Sequence, residues 1–260
     1  MDTSPFQKAL ASFSLPEVRF FDSIGSTNDE ALAWATEGAA DLSLVIADEQ
    51  IAGRGRAGRK WATPPGAALA FSLILRPAPI EAESPSLFTG LGALALVDAL
   101  KKYELAAQIK WPNDVLLNRK KCAGILVESV WTGEALDAVV LGMGVNVLAA
   151  SVPPANEVLF PATSVEAELG RPVDRAELLR AIIESLLKWR PTIASGELVK
   201  AWEEALAFKQ ERVQVWDGSG SPLEGRIVGL ESDGGLRLLA AKRDKIVTVH
   251  FGEMHLRPSL

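Results

Sequence analysis

The 260-residue sequence holds one cysteine, Cys122, two histidines, His250 and His255, and a single tyrosine. One cysteine excludes an intrachain disulfide and fits a reducing compartment. With both histidines near the C-terminus no His/Cys zinc cluster can be assembled, so no metal site of the protein's own is expected. Positive charge is scarce too: 27 Lys and Arg against 33 Asp and Glu leave a net charge of −6. That balance argues against a broad nucleic-acid-binding face. No apolar run reaches the ~20 residues of a membrane span. The opening MDTSPFQKAL lacks the charged and apolar regions of a signal peptide. The expectation is a soluble cytoplasmic protein. At 48% apolar and 23% charged residues, its length allows one large domain with a full core and a small one beside it.

Periodicity and punctuation give the elements. Ser4-Pro5 opens a short helix to Phe13, and Val18 to Phe21 reads as a strand. Thr27 with Glu30 three residues on has the spacing of a capping box, and Gly38 suits the end of the helix between them. Strands follow at Leu42 to Ala47 and Leu69 to Leu75, then a helix from Ser84-Pro85 to about Lys102. Further strands cover Ala106 to Lys110, Val115 to Leu117, Gly124 to Val130 and Leu136 to Val147, the last two joined by a TGEA hairpin turn. TSVEAELG and DRAELLRAIIESLLKWR read as helices, each opening on a cap residue with Glu three positions on. Strands followed by helices predict an α+β domain with a mixed sheet. From about Lys209, short strands separated by DGSGS, ESDGG and KRD predict a small all-β barrel. The division falls near residue 208, giving domains 1–208 and 209–260.

Two stretches carry chemistry. Gly53-Arg54-Gly55-Arg56-Ala57-Gly58 matches GxGxxG, but a dinucleotide-binding turn must open a helix, and Pro64-Pro65-Gly66 forbids one. A P-loop fails because GK[ST] is missing. What remains is either a solvated loop or an anion-binding one. Arg54, Arg56, Arg59 and Lys60 interleaved with glycines in an acidic protein favour the anion, by bidentate contacts and close backbone approach. The second stretch is Lys110-Trp111-Pro112-Asn113-Asp114, where Pro112 fixes the turn and so holds Lys110. Beside a polyphosphate such a lysine neutralises charge developing on phosphorus. Asn113 has the groups to read an adenine edge, and Asp114 to position a cation or accept a proton. The bland reading of the same residues is a plain turn with a surface lysine.

Together, Ser26-Thr27-Asn28, QIAGRGRAGRKW (50–61), KWPND (110–114), KCAGILVE (121–128) and GMGVN (142–146) resemble the catalytic domain of biotin protein ligases, the family that includes the bacterial biotin repressor-ligase. FGEMHLRP at the end resembles the close of that family's C-terminal barrel. The resemblance implies a class II aminoacyl-tRNA synthetase-like catalytic fold with an SH3-like barrel. It implies activation of biotin by Mg-ATP to biotinyl-5′-adenylate, then transfer to a lysine of a biotin carboxyl carrier domain. Lys110, Arg56 and Asp114 would be catalytic, with Asp114 orienting or deprotonating the acceptor amine. Biotin would meet Ser26, Thr27 and Gln50 at its ureido group, and Gly53, Arg54, Lys110, Gly124 and Gly142 elsewhere. Arg54, Arg56, Arg59, Trp61, Asn113, Lys121 and Asn146 would hold the nucleotide, Trp61 either on adenine or as a loop closure or in the core.

Departures are few. Ala57 stands where the repressor-ligase carries another arginine, and Ile51 replaces a second glutamine. Only 25 residues precede Ser26, too few for a winged-helix DNA-binding domain, which points to a ligase without repressor function. Oligomeric state is open between monomer and homodimer. The loop at 53–60 is expected to be disordered without ligand, given its glycines and charge. Rival readings are a lipoate or other acyl protein ligase of the same fold, a non-catalytic biotin-responsive or DNA-binding regulator, and a nucleotide-binding module without transfer activity. The barrel's role is either support or contact with ATP or acceptor.

Overall fold

The computed structural model describes residues 5–61, 63–216, 222–241, 245–250 and 255–258. Ser4, residues 217–221 and 242–244, and residues 251–254 of the closing motif lie outside the described residues.

Seven strands form one mixed sheet: β1 (Val18–Ile24), β2 (Leu44–Gln50), β3 (Ala68–Leu75), β4 (Ala107–Lys110), β5 (Asp114–Leu117), β6 (Lys120–Thr132) and β7 (Ala135–Asn146). Their spatial order is β1-β2-β3-β7-β6-β5-β4. Only β1 and β2 run parallel, joined by α2 (Thr27–Thr36), as a parallel pair requires a crossover. Alternation along each strand gives the sheet two faces. Leu44, Ile46, Phe71, Leu73 and Leu141 belong to the large core with α4 (Leu87–Lys101) and α6 (Arg175–Trp189). Val45, Ile74, Ala138 and Val140 form a smaller cluster with Ala31, Trp34 and Ala35 of α2. Every residue of β3 is buried, because it is covered on both faces. α4 is buried almost all round, which is why its sequence is apolar without a polar stripe.

The second sheet is antiparallel and SH3-like: β8 (Arg212–Trp216), β9 (Leu223–Leu230), β10 (Leu236–Ala240), β11 (Lys245–Val249) and β12 (His255–Pro258), ordered β11-β10-β9-β8-β12. Val213, Ile227, Leu236 and Leu238 continue the core of the large sheet. The turn between β9 and β10 reaches the chain around the large sheet. There Gly234 O accepts from the buried Trp111 Nε1 at 2.9 Å and Asp233 O from Ser86 Oγ at 2.7 Å. Gly234, at φ +83°, also lies against the Trp202 ring, so both its backbone and its missing side chain are used.

Several boundaries differ from the sequence reading. Ser26, not Thr27, is the N-cap of α2, and it makes no capping hydrogen bond. The Thr27 hydroxyl is bonded to Gln50 and Ser72 instead, and Glu30 pairs with Arg19. Ser164 rather than Thr163 caps α5 (Val165–Leu169), accepting from Ala167 N, and Glu166 turns to Val173 N. β2 begins at Leu44 because Leu42 adopts φ +67°. Two helices went unread: α3 (Pro79–Ala82) and α7 (Glu197–Glu204), the latter burying Leu198, Val199 and Trp202. The first helix, α1 (Pro5–Leu10), is shorter than read.

Candidate active site

The face of the sheet that carries α2 is only partly covered by it. Beyond the helix, paired residues make a row across five strands: Ala70 opposite Gly144, Gly144 opposite Gly124, Gly124 opposite Asp114, Asp114 opposite Lys110. In the next row Ser72 lies opposite Gly142 and Gly142 opposite Leu126. Small residues in the middle of these rows leave a cleft of about 1050 Å³, at the upper end of what small-molecule sites enclose.

One end of the cleft is a polar, uncharged floor built by the N-terminus of α2. Ser26, Thr27 and Asn28 are all buried. Thr27 donates to Gln50 Oε1 from its backbone N at 2.8 Å and its hydroxyl at 3.1 Å, and Gln50 Nε2 lies 3.1 Å from Thr63 Oγ1. Ser72 Oγ donates to Asn28 Oδ1 at 2.6 Å and lies 2.8 Å from Thr27 Oγ1. The glycines here are required by close approach, not by backbone conformation. A Cβ on Gly142 would overlap Asn28 Oδ1, and one on Gly144 would overlap the Trp61 indole. Trp61 thus packs against the glycine surface, its buried Nε1 without a hydrogen-bond partner among the described residues, and Lys121 Nζ is 5.4 Å from its ring centroid.

The other end is cationic around one buried carboxylate. Asp114 Oδ2 lies 3.1 Å from Lys110 Nζ and its Oδ1 2.5 Å from Lys121 Nζ. Burial alone would raise the Asp114 carboxyl, but Lys121 and Lys110 outweigh it and hold the group well below the usual carboxylate range. Arg56 Nη1 donates to Asn113 Oδ1 at 3.3 Å. Burial lowers the Arg56 pKa, Asp114 offsets that and Arg59 adds to it, yet a guanidinium stays charged. Asn113 Nδ2 donates to Ile125 O at 3.0 Å, so the amide expected to read adenine is occupied at both ends by the frame. Asn146 is buried and donates to Thr163 O at 3.1 Å.

The structure brings nearly all the sequence-predicted residues together. Ser26, Thr27, Gln50, Gly124 and Gly142 line the cleft with Arg54, Arg56, Arg59 and Trp61, and so do Lys110, Asn113, Asp114, Lys121 and Asn146. Gly53 does not line it. It is buried behind, where a Cβ would overlap Trp61 O, and it accepts from Trp61 N at 2.8 Å to close the base of the loop. With Gly55 N donating to Arg59 O at 2.7 Å, this loop has internal bonds, and its exposed residues are Arg54 and Ala57–Lys60. Sequence reasoning missed Asn28, which lines the floor, Ser72, which bonds to it, and a wall at Val158, Leu159 and Phe160, with the Phe160 ring centroid 5.0 Å from Lys110 Nζ. A lone serine in the apolar run AFSLIL was the one available signal for Ser72.

A neutral hydrogen-bonding floor at one end and a group of cations at the other define a site for a ligand with a polar, uncharged head and a polyanionic tail. Residues 20–146 match the model of the biotin/lipoate A/B protein ligase family. A biotin–[acetyl-CoA-carboxylase] ligase of Paracoccus denitrificans is 38% identical, over 82% of this chain and 90% of that protein. One from Mycobacterium tuberculosis is 34% identical, over 90% of this chain and 86% of that protein. A solved biotin protein ligase from Aquifex aeolicus, in complex with biotin and ATP, superposes with a TM-score of 0.79 at 28% identity, covering 94% of this chain and all of that one. The chain belongs to the biotin/lipoate A/B protein ligase family. The two relatives named above, which match over most of both chains, are biotin–[acetyl-CoA-carboxylase] ligases.

Proposed function

We propose that this chain is an ATP-dependent biotin–protein ligase that forms biotinyl-5′-adenylate and passes the biotinyl group to a lysine of a biotin carboxyl carrier domain. The observation that carries this reading is the polarity of the cleft: an uncharged floor of Ser26, Thr27 and Gln50 leads to Lys110, Lys121 and Arg56. A ureido group offers two N–H donors and a carbonyl acceptor, matching hydroxyls and an amide. A lipoyl dithiolane or an octanoyl chain offers no matching donors and acceptors to the hydrogen-bonding capacity these groups retain, and so gains less from the floor.

In the first step a biotin carboxylate oxygen bonds to the α-phosphorus of ATP, the α–β phosphoanhydride bond breaks, and pyrophosphate leaves. Lys110 and Lys121 offset the charge on carboxylate and α-phosphate, and Arg56, steadied by Asn113, reaches the phosphates. Arg59 from the loop and Asn146 from the end of β7 complete the nucleotide side, and Trp61 packs on the adenine. In the second step the acceptor amine attacks the acyl carbon, the acyl–phosphate bond breaks, AMP leaves, and the amine's proton goes to water or phosphate. Asp114 is too weak a base, between two lysines, to take that proton; its role is to orient the lysines and the amine. Mg²⁺ enters with ATP as part of the substrate. Among the described residues no three His, Cys, Asp or Glu side chains group to hold a metal, and Asp114 is engaged by both lysines. Phosphate oxygens would thus supply the ion's ligands.

Residues 1–208 then act as the catalytic unit and 209–260 as its support. No described helix is long and apolar enough to cross a membrane. We place the enzyme in the cytoplasm, without nucleic acid as partner, as monomer or homodimer. Mass spectrometry of the protein after incubation with biotin and ATP tests the reading. A bound species of the mass of biotinyl-adenylate is expected, and its absence, with only the two substrates recovered, would refute the adenylation step.

A further inference from the structure

Arg54 of the loop is engaged by two carboxylates. Its Nη1 lies 2.9 Å from Glu128 Oε1, and its Nη2 2.6 Å from Glu128 Oε2 and 2.7 Å from Asp29 Oδ1. Half-exposed ion pairs contribute little on their own, but this one is bidentate, which fixes geometry as well as charge. Glu128 also faces the floor: its Oε2 accepts from Asn28 Nδ2 at 2.8 Å. Asn28 Oδ1 accepts from Ser72, Ser72 touches Thr27, and Thr27 donates to Gln50. One oxygen of Glu128 thus joins the loop's arginine to the residues assigned to the biotin head. Glu128 itself does not line the cleft.

We infer that Glu128 is a positioning residue of the ligase reaction, coupling the polar floor to the glycine-arginine loop through Asn28 on one side and Arg54 on the other. The inference rests on the ligase reading for its consequence but not for its geometry. Because Oε2 serves both partners, Asn28 cannot shift without disturbing Arg54. Occupancy of the floor and closure of the loop base are held by the same carboxylate. Glu128→Gln keeps the volume and one acceptor but loses the charge and the second acceptor toward Arg54.

Two readouts on the full-length protein test this: hydrogen exchange of the amides at 53–61 without ligand, and the biotin KM and kcat of pyrophosphate release. In Glu128→Gln, exchange should quicken about tenfold, the equivalent of ~1.4 kcal/mol. The biotin KM should rise by a similar factor, with kcat at saturating biotin changed far less. A merely damaged fold would lower the active fraction, and so kcat, without moving KM. Arg54→Gln should match these effects, and the double variant should add nothing to either single one. Unchanged exchange in Glu128→Gln, or effects that multiply in the double variant, would overturn the coupling. If wild type releases pyrophosphate with biotin and Glu128→Gln matches its KM, the inference fails and the ligase reading stands. If wild type releases none while the exchange rates shift, the ligase reading fails, and with it the role assigned to Glu128 in the reaction.

Discussion

Asp114→Asn separates the two things the buried carboxylate does, neutralising Lys110 and Lys121 and holding them in place. Asparagine keeps the shape, and its Oδ1 still accepts from one lysine, but its Nδ2 turns a donor toward the other ammonium. Both lysine side chains are largely buried, 12% and 25% exposed, and Asp114 is 11% exposed. Removing one partner of a buried ion pair costs about 3–5 kcal/mol. Solvent reaching Lys121 favours the lower figure, and for a chain of this size ~3 kcal/mol corresponds to a fall in Tm of roughly 6–12 °C. A polyanion in the cleft supplies the lost counter-charge. Pyrophosphate or ATP should therefore raise the Tm of Asp114→Asn by more degrees than that of wild type. Thermal unfolding of both proteins, with and without saturating pyrophosphate, reads both effects. A variant as stable as wild type, with the same shift on adding pyrophosphate, would refute the argument that this carboxylate stands where phosphate charge is to be bound.

Other consequences follow from the same geometry. Gly142→Ala places a methyl group against Asn28 Oδ1, disturbing buried hydrogen bonds worth about 1–3 kcal/mol. Steady-state kinetics should show a biotin KM raised tenfold or more and an ATP KM affected less. The depressed Asp114 pKa adds stability above the unfolded carboxyl value of about 3.9 and loses it only as pH falls through the lower folded value. A pH–rate profile of pyrophosphate release from 5 to 9 should then show no ionisation that Asp114→Asn removes. Burial pushes the Cys122 thiol up to about 12, so a chromogenic disulfide reagent should find no reactive thiol in the native protein and one after denaturation.

What the sequence made legible is what lies close along the chain. The cations of the loop at 53–60, the lysine of KWPND and the hairpin at Gly133 are local patterns, and each is where its pattern placed it. By its apolar pattern alone GMGVN read as a strand, and only the family resemblance gave Gly142 a place at biotin. Its two glycines acquire a purpose when Asn28 and Trp61 arrive across the sheet, more than 80 residues away in sequence. The same holds for Ser72 with Asn28, separated by 44 residues, and for Asn28 with Glu128, separated by 100. The misplaced caps have a related cause. Ser26-Thr27 and Thr163-Ser164 each offer two adjacent hydroxyls, and tertiary partners decide which one caps: Gln50 and Ser72 take Thr27, and Glu168 takes Thr163. The barrel's hold on the site was beyond sequence reasoning, because Trp111 and Gly234 meet across 123 residues.

The most direct test of the central claim is pyrophosphate release from ATP by purified protein offered biotin, lipoate and octanoate separately. Release with biotin alone, abolished by Lys110→Ala, is the predicted result. Release with lipoate or octanoate in preference to biotin would contradict the reading of the polar floor. No release with any of the three would contradict the adenylation chemistry assigned to Lys110, Lys121 and Arg56.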